Sequence, residues 1–66
     1  MKIDSLKIRL LYSQRGITQA ELAEEAGLSR AGLNILLRKG TCYPGSAYRI
    51  ARALGVPPEE IIKSVK

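Results

Sequence analysis

The sequence predicts a compact all-α fold in which five short helices form one domain over residues 1–66. Apolar residues recur at three- and four-residue spacings, residues that favour helix starts precede these runs, and glycines separate them. No segment alternates apolar and polar residues over a useful length, so we expect no strand. A domain of this size buries only about 60% of its unfolded surface, and we therefore expect modest stability.

The first predicted helix spans residues 1–15 and ends at Gly16. Asp4 is suited to cap its N-terminus, and Ile3 and Ile8 are spaced to pack against each other across that cap. Helical spacing predicts that its buried face consists of Ile3, Leu6, Leu10 and Leu11.

Two consecutive helix starts follow the first helix. Thr18 and Glu21 form a capping box, in which each side chain can bond the backbone amide of the other residue. Ser29 is a favourable N-cap for the next helix, and Gly27 can adopt the left-handed conformation that ends the preceding one. Apolar residues are spaced to pack across both caps, as the pairs Ile17 with Leu22 and Leu28 with Leu33.

The spacing of residues after Gln19 is typical of a DNA-binding helix-turn-helix. Ala23 lets a second helix cross closely, Gly27 makes the turn, and Leu33 and Leu36 anchor the second helix. A plain helical hairpin also needs apolar residues and a glycine, and it is the alternative interpretation. The two capping signals, taken with the full set of spacings, favour the DNA-binding motif.

The C-terminal part predicts two more helices after a loop over residues 39–44. The fourth helix runs to about Leu54, and its core face consists of Ala47, Ile50, Ala51 and Leu54. A last short helix opens at Pro58 after Gly55, with Val56 spaced to pack against Ile61. Residues 63–66 are expected to fray.

Composition restricts the class of function. The net charge of +5 favours an anionic partner, although many basic domains have none. With no histidine and a single cysteine, Cys42, the chain has almost no material for a zinc site or a nucleophile–base pair, so we expect no enzyme, metal or cofactor. The lone cysteine fits a reducing cytoplasm, and neither a membrane span nor a signal peptide is expected.

The second helix of the motif separates its residue types by face. Leu33, Leu36 and Leu37 form one face, which other helices must cover. A second row is then free to enter a DNA major groove, and it consists of Arg30, Asn34 and Arg38 with Ala31 alongside.

Four residues are candidate base-reading residues. Arg30 matches the two acceptors of guanine, Asn34 can pair with adenine, and Ala31 and Ile35 could contact thymine methyl groups. Arg30 could instead contact a phosphate or solvent, and Asn34 could be an exposed polar residue without a DNA contact. For Ile35, a position at the edge of the core is the favoured interpretation.

Candidate phosphate contacts lie at helix N-termini and in the basic segment after the second helix of the motif. Helix N-termini favour anions, and Lys and Arg neutralise phosphates. The candidates are Thr18, Gln19, Ser29, Arg38, Lys39 and Thr41.

With these residues in place, the chain resembles the phage-repressor and Cro type of helix-turn-helix, the XRE-like family. ITQAELAEEAGLSRAGL resembles the family's central signature, and RIARALGVPPEEII resembles its fourth and fifth helices. The resemblance implies a five-helix, lambda-repressor-like domain that binds operator DNA as a dimer. It assigns phosphate binding to Gln19, and base reading to Arg30 and Ala31 and then to Asn34 and Ile35.

The sequence departs from the family pattern in two places. Many members pair an arginine late in helix one with a glutamate late in helix three, and these positions are Tyr12 and Leu37 here. An ion pair exchanged for apolar packing can be neutral or stabilising, so we expect Tyr12 to pack near Leu37. The loop GTCYPG, which contains Thr41 and Tyr43, is about a residue longer than usual.

These expectations favour a sequence-specific transcriptional regulator, expected to be a repressor, that binds a palindromic operator as a homodimer. Candidate dimer residues are Val56, Ile61, Ile62 and Val65, for which closure of the monomer core is the alternative. Two other functions remain open: an antitoxin-like protein that also binds a toxin, and a protein-interaction module that uses the same helices without DNA.

Overall fold

The computed structural model describes residues 1–63, which form four α-helices and one short 3-10 turn. The helices are α1 (Ser5–Gln14), α2 (Gln19–Ala26), α3 (Arg30–Lys39) and α4 (Pro44–Leu54), and the 3-10 turn is Pro58–Glu60. The all-α prediction is confirmed for these residues. The fifth predicted helix is a single 3-10 turn instead: Pro57 precedes it, and only the three residues Pro58–Glu60 have 3-10 backbone.

The predicted helix starts are confirmed. Asp4 caps α1 by accepting a hydrogen bond from the Lys7 amide at 3.1 Å. Thr18 and Glu21 form the full capping box of α2, with N–O distances of 3.1 and 2.9 Å. Ser29 caps α3 by accepting from the Gly32 amide at 2.9 Å. Each cap satisfies an amide that the helix leaves without an internal partner.

Two glycines bound the segment that contains α3, one at the end of the preceding helix and one at the end of α3. Gly27, at φ +72°, closes α2, and Gly40, at φ +74°, closes α3. A side chain with a Cβ is strained in this left-handed region, so both sites favour glycine. Together they fix α3 as a rod of ten residues between two sharp turns.

The core is built mainly from α2, α3 and α4. Its buried residues are Ile3, Ile8, Leu22, Ala23, Ala26, Leu33, Leu37, Ala47, Ile50, Ala51, Leu54 and Ile61. The predicted face of α4 is fully confirmed. In α2 the small side chain of Ala23 is completely buried, as close helix crossing requires.

The predicted core face of α1 is partly wrong, because Leu6 and Leu10 are 69% and 52% exposed. Ile3 is buried, but it precedes the helix, so counting helical positions from it gives the wrong phase. Ile8 is the residue of α1 that the core encloses, and Leu11 is half-buried against it. The prediction that pairs Ile3 with Ile8 across the Asp4 cap therefore identifies buried residues correctly, whereas the longer stripe does not.

The segment before α1 lies extended between two other parts of the chain. Isolated antiparallel bridges join Lys2 to Thr41 and Ile3 to Ile62, although residues 1–63 contain no regular strand. On one side, the Ile3 amide donates to the Gly40 carbonyl at 3.0 Å. On the other, the Asp4 amide donates to the Ile61 carbonyl at 2.7 Å. This pairing fixes the first residues between the loop after α3 and the last described residues.

Candidate nucleic-acid interface

Helix α3 separates a buried side from an exposed one. Leu33 and Leu37 are buried, and Leu36 is half-buried against the same core. The four candidate base-reading residues, Arg30, Ala31, Asn34 and Ile35, are all exposed. We call these four residues the outer face of α3. The leucines hold the helix against the domain, so side chains on the outer face project towards solvent.

Arg30 lies beside a carboxylate of the preceding helix. Its guanidinium is 3.9 Å from a carboxylate oxygen of Glu24, and both side chains are more than 70% exposed. The sequence analysis did not identify this pair. An ion pair this exposed contributes at most about 1 kcal/mol, so Arg30 can exchange Glu24 for another acceptor at little cost.

Asn34 is connected to α1 through Gln19. The Tyr12 hydroxyl donates to the Gln19 amide oxygen at 3.4 Å, and the Gln19 amide nitrogen donates to the Asn34 side-chain oxygen at 3.5 Å. Both bonds are long and therefore weak. Because the Asn34 oxygen accepts from Gln19, the NH₂ group of Asn34 is the part of this amide that can donate to a ligand.

The candidate phosphate residues form two groups. Thr18 and Ser29 accept cap hydrogen bonds, and each hydroxyl keeps its proton for a second partner. The other group is cationic or polar and exposed at the end of α3, where Arg38, Lys39 and Thr41 lie close together along one groove. Gln19, the first residue of α2, belongs with Thr18 and Ser29; it is half-buried, and its side chain bonds those of Tyr12 and Asn34.

The family model for the Cro/C1-type helix-turn-helix DNA-binding domain matches residues 7–66. This chain belongs to that family. The resemblance seen in the sequence is thereby confirmed, and DNA is the partner class that membership indicates. Among curated proteins, none matches the chain.

Two solved structures are similar to this Cro/C1-type domain. They are native PhpD with cadmium atoms, and PhpD with cadmium complexed with hydroethylphosphonate. In each comparison the identity is 32%, the TM-score is 0.83, and the match covers 100% of this chain. The chain spans only 14% of the length of the PhpD chains, so the likeness concerns one part of those proteins.

The structure places the candidate dimer residues of the domain at different depths. Ile61 is completely buried in the monomer core, so it closes that core and cannot contact a second copy. Val56 and Ile62 are half-buried against the core, and Ile62 lines a shallow groove with Tyr48 and Pro58. Val65 lies outside the described residues.

Two smaller expectations can be compared with the structure. Tyr12 is half-buried against the cluster that contains Leu37, at the edge of the core. Ile35 is 50% exposed and is not part of the core, so the favoured edge-of-core interpretation is wrong. Ile35 lines a shallow apolar groove with Met1 and Tyr43 instead. Only the position of the loop after α3, which the sequence does not determine, brings these three residues together.

The described part of the chain contains no group of three or more histidine, cysteine, aspartate or glutamate residues placed to hold a metal ion. Every helix within residues 1–63 is too short or too polar to cross a membrane. Cys42, a free thiol, is half-buried, and this burial raises its pKa above the ordinary value despite smaller opposing effects of the N-terminal amine and a backbone hydrogen bond.

Proposed function

We propose that this Cro/C1-type domain is a sequence-specific transcriptional regulator in which α2 and α3 form the helix-turn-helix and α3 enters the major groove. One observation carries the proposal: Leu33 and Leu37 are buried while Arg30 and Asn34 are exposed on the outer face of the same helix. The major groove of B-DNA admits a helix presented in this way. The net charge of +5 favours the encounter with DNA.

The residues of the outer face then have different roles. Arg30 donates two hydrogen bonds to a guanine edge after leaving Glu24, a contact worth about 1–3 kcal/mol of base discrimination. Asn34 donates its NH₂ group to a base acceptor such as adenine N7. Ala31 and Ile35 contact thymine methyl groups. Their exposure and their common helix face support these roles.

The phosphate contacts surround this outer face on two sides. Thr18, Gln19 and Ser29 contact one strand at the N-termini of α2 and α3, where backbone amides favour anions. Arg38, Lys39 and Thr41 contact the backbone beyond the end of α3. These contacts set the register of the helix and carry most of the salt dependence.

A single domain of this size covers only one half-site, so we propose a two-fold homodimer that represses from a palindromic operator. Exposed Tyr48 and half-buried Ile62 line one groove that supports this arrangement, and half-buried Val56 is a further candidate. Half-sites about one helical turn apart are the expected geometry.

Selection from a random DNA pool, followed by titrations at several salt concentrations, tests the proposal. We expect an inverted repeat to be enriched. Arg30→Ala should flatten the preference at one base pair, whereas Arg38→Ala should weaken all sequences alike and reduce the salt slope by about one.

Arg52→Ala is the matched control, because Arg52 is an exposed cation of α4 outside the proposed interface. It should leave both the base preference and most of the slope unchanged. Absence of binding at low salt would refute the DNA-binding proposal. Enrichment of single half-sites would refute only the dimer.

A further inference from the structure

A basic groove lies between the start of α1 and the end of α3. Its volume is about 650 Å³. Its lining includes four cationic side chains from three separate parts of the chain, namely Lys2, Arg38, Lys39 and Lys63. All four residues are exposed, so their charged ends are available to a ligand. Among the described residues of the lining, Asp4 is the single acidic one.

The groove keeps its positive charge because the nearby carboxylate has another role. Asp4 accepts the N-cap hydrogen bond of α1 from the Lys7 amide, which directs the carboxylate into the helix start. Within residues 1–63, ion pairs involve Lys7, Arg15 and Arg30, and none involves a cation of the groove. The groove therefore has four cations and one carboxylate, and that carboxylate already accepts a hydrogen bond from the Lys7 amide. Such a site favours anions.

Backbone pairing brings Lys2 and Lys63 to this place. The Lys63 amide donates to the Lys2 carbonyl at 2.9 Å, and Lys2 forms an antiparallel bridge with Thr41. Residues that are 61 positions apart in sequence are therefore neighbours at the end of α3. Their charges could not be assigned to any surface from the sequence.

The groove is continuous with the outer face of α3. Arg30, Asn34 and Arg38 follow one another at four-residue steps, and Arg38 also lines the groove. At 1.5 Å per residue, Arg38 lies about 12 Å along the axis from Arg30. A DNA strand that runs from the outer face past Asn34 to Arg38 would therefore meet the groove next.

We propose that this groove binds the DNA backbone outside the base-reading region, with Lys2 and Lys63 as additional phosphate contacts. The inference rests on the proposed function, since it requires α3 to lie in the major groove. It assigns the two lysines a role in affinity and site length, and none in base preference. An open groove with exposed, separated cations suits a phosphate backbone better than a small enclosed anion.

The experiment compares Lys2→Gln/Lys63→Gln with the control Arg9→Gln/Arg52→Gln. Both double variants lower the net charge from +5 to +3. Arg9 and Arg52 are also exposed, but they do not line this groove. The slope of log K against log salt should fall by about two for the lysine variant, since each phosphate contact contributes about 0.9. It should change much less for the control, and base preference should be retained in both.

A second arm shortens the DNA. Removing the base pairs that flank the selected site should reduce the slope for the unmodified protein and leave the lysine variant nearly unaffected, because its flanking contacts are already lost. If both double variants change the slope equally, or if the lysine variant still responds to shortening, the groove proposal is wrong while DNA binding stands. If the unmodified protein does not bind DNA at low salt, the proposed function itself fails, and this inference fails with it.

Discussion

Replacement of Gly32 by alanine should leave the stability of the domain almost unchanged, which is unusual for a glycine within a helix. Gly32 has ordinary helical backbone in α3, where alanine normally stabilises by up to about 1 kcal/mol. A Cβ at this position would lie 2.8 Å from the Ser29 hydroxyl oxygen. That oxygen is the cap of α3 and accepts from the Gly32 amide.

The two effects should therefore cancel. A separation of 2.8 Å is too short for a carbon and an oxygen without a hydrogen bond, so the Ser29 hydroxyl must shift, and we expect its cap bond to the Gly32 amide to be lost. Loss of a serine N-cap costs about 1 kcal/mol, which offsets the gain in helix propensity. In a Ser29→Ala background the cap is already absent, and Gly32→Ala should then stabilise by about 1 kcal/mol, equivalent to about 4–8 °C in Tm for a domain of this size.

Urea denaturation of the four proteins in this double-mutant cycle measures the effect. The expected coupling between the two positions is about 1 kcal/mol, well above what distant sites show. Equal effects of Gly32→Ala in both backgrounds would refute the reasoning, since they would show that the Cβ and the cap do not compete.

Three further outcomes follow from the same structure. Leu33→Ala should destabilise the domain by about 3–5 kcal/mol in urea denaturation, because Leu33 is fully buried. Leu6→Ala, at a site that is 69% exposed, should change stability by less than about 0.5 kcal/mol. Similar effects at the two sites would contradict the assignment of the core. Glu24→Gln should strengthen DNA binding in a titration, because it releases Arg30 from a competing carboxylate and removes a negative charge; weaker binding would show that the pair positions Arg30. Burial raises the pKa of the Cys42 thiol, so the unfolded chain loses this proton at lower pH than the folded protein does. Stability should therefore fall as pH rises above the ordinary thiol pKa. The loss of stability should be smaller in Cys42→Ala, and an equal loss in both proteins would exclude the thiol as its source.

Local signals in the sequence predicted the helices well. Caps such as Thr18 with Glu21 and glycines such as Gly27 act through neighbours within a few residues, so their effect is visible in the sequence. The buried face of α1 was harder to predict. Ile3 is buried but precedes the helix, so counting helical positions from it shifts the predicted face. The stripe therefore included Leu10, which is half exposed.

The sequence predicted which side of α3 carries the candidate site. It did not predict the contacts that surround this side. The separation of Leu33 from Arg30 and Asn34 follows from helical periodicity alone. The contact of Arg30 with Glu24 depends on the angle between α2 and α3, which no local pattern specifies. The same limit applies to Lys63, which reaches the end of α3 only through long-range backbone pairing.

The pairing of the first residues has a consequence for the order in which the domain assembles. The hydrogen bond from Asp4 to Ile61 joins positions 57 residues apart, and the bond from Ser5 to Leu37 joins positions 32 apart. Such distant closures carry a larger entropic cost than helix turns, so they should form after the α2–α3 unit. The amide hydrogens of Ile3, Asp4 and Lys63 would then exchange with solvent as one group, and their common rate would report how often the end of α3 loses its support.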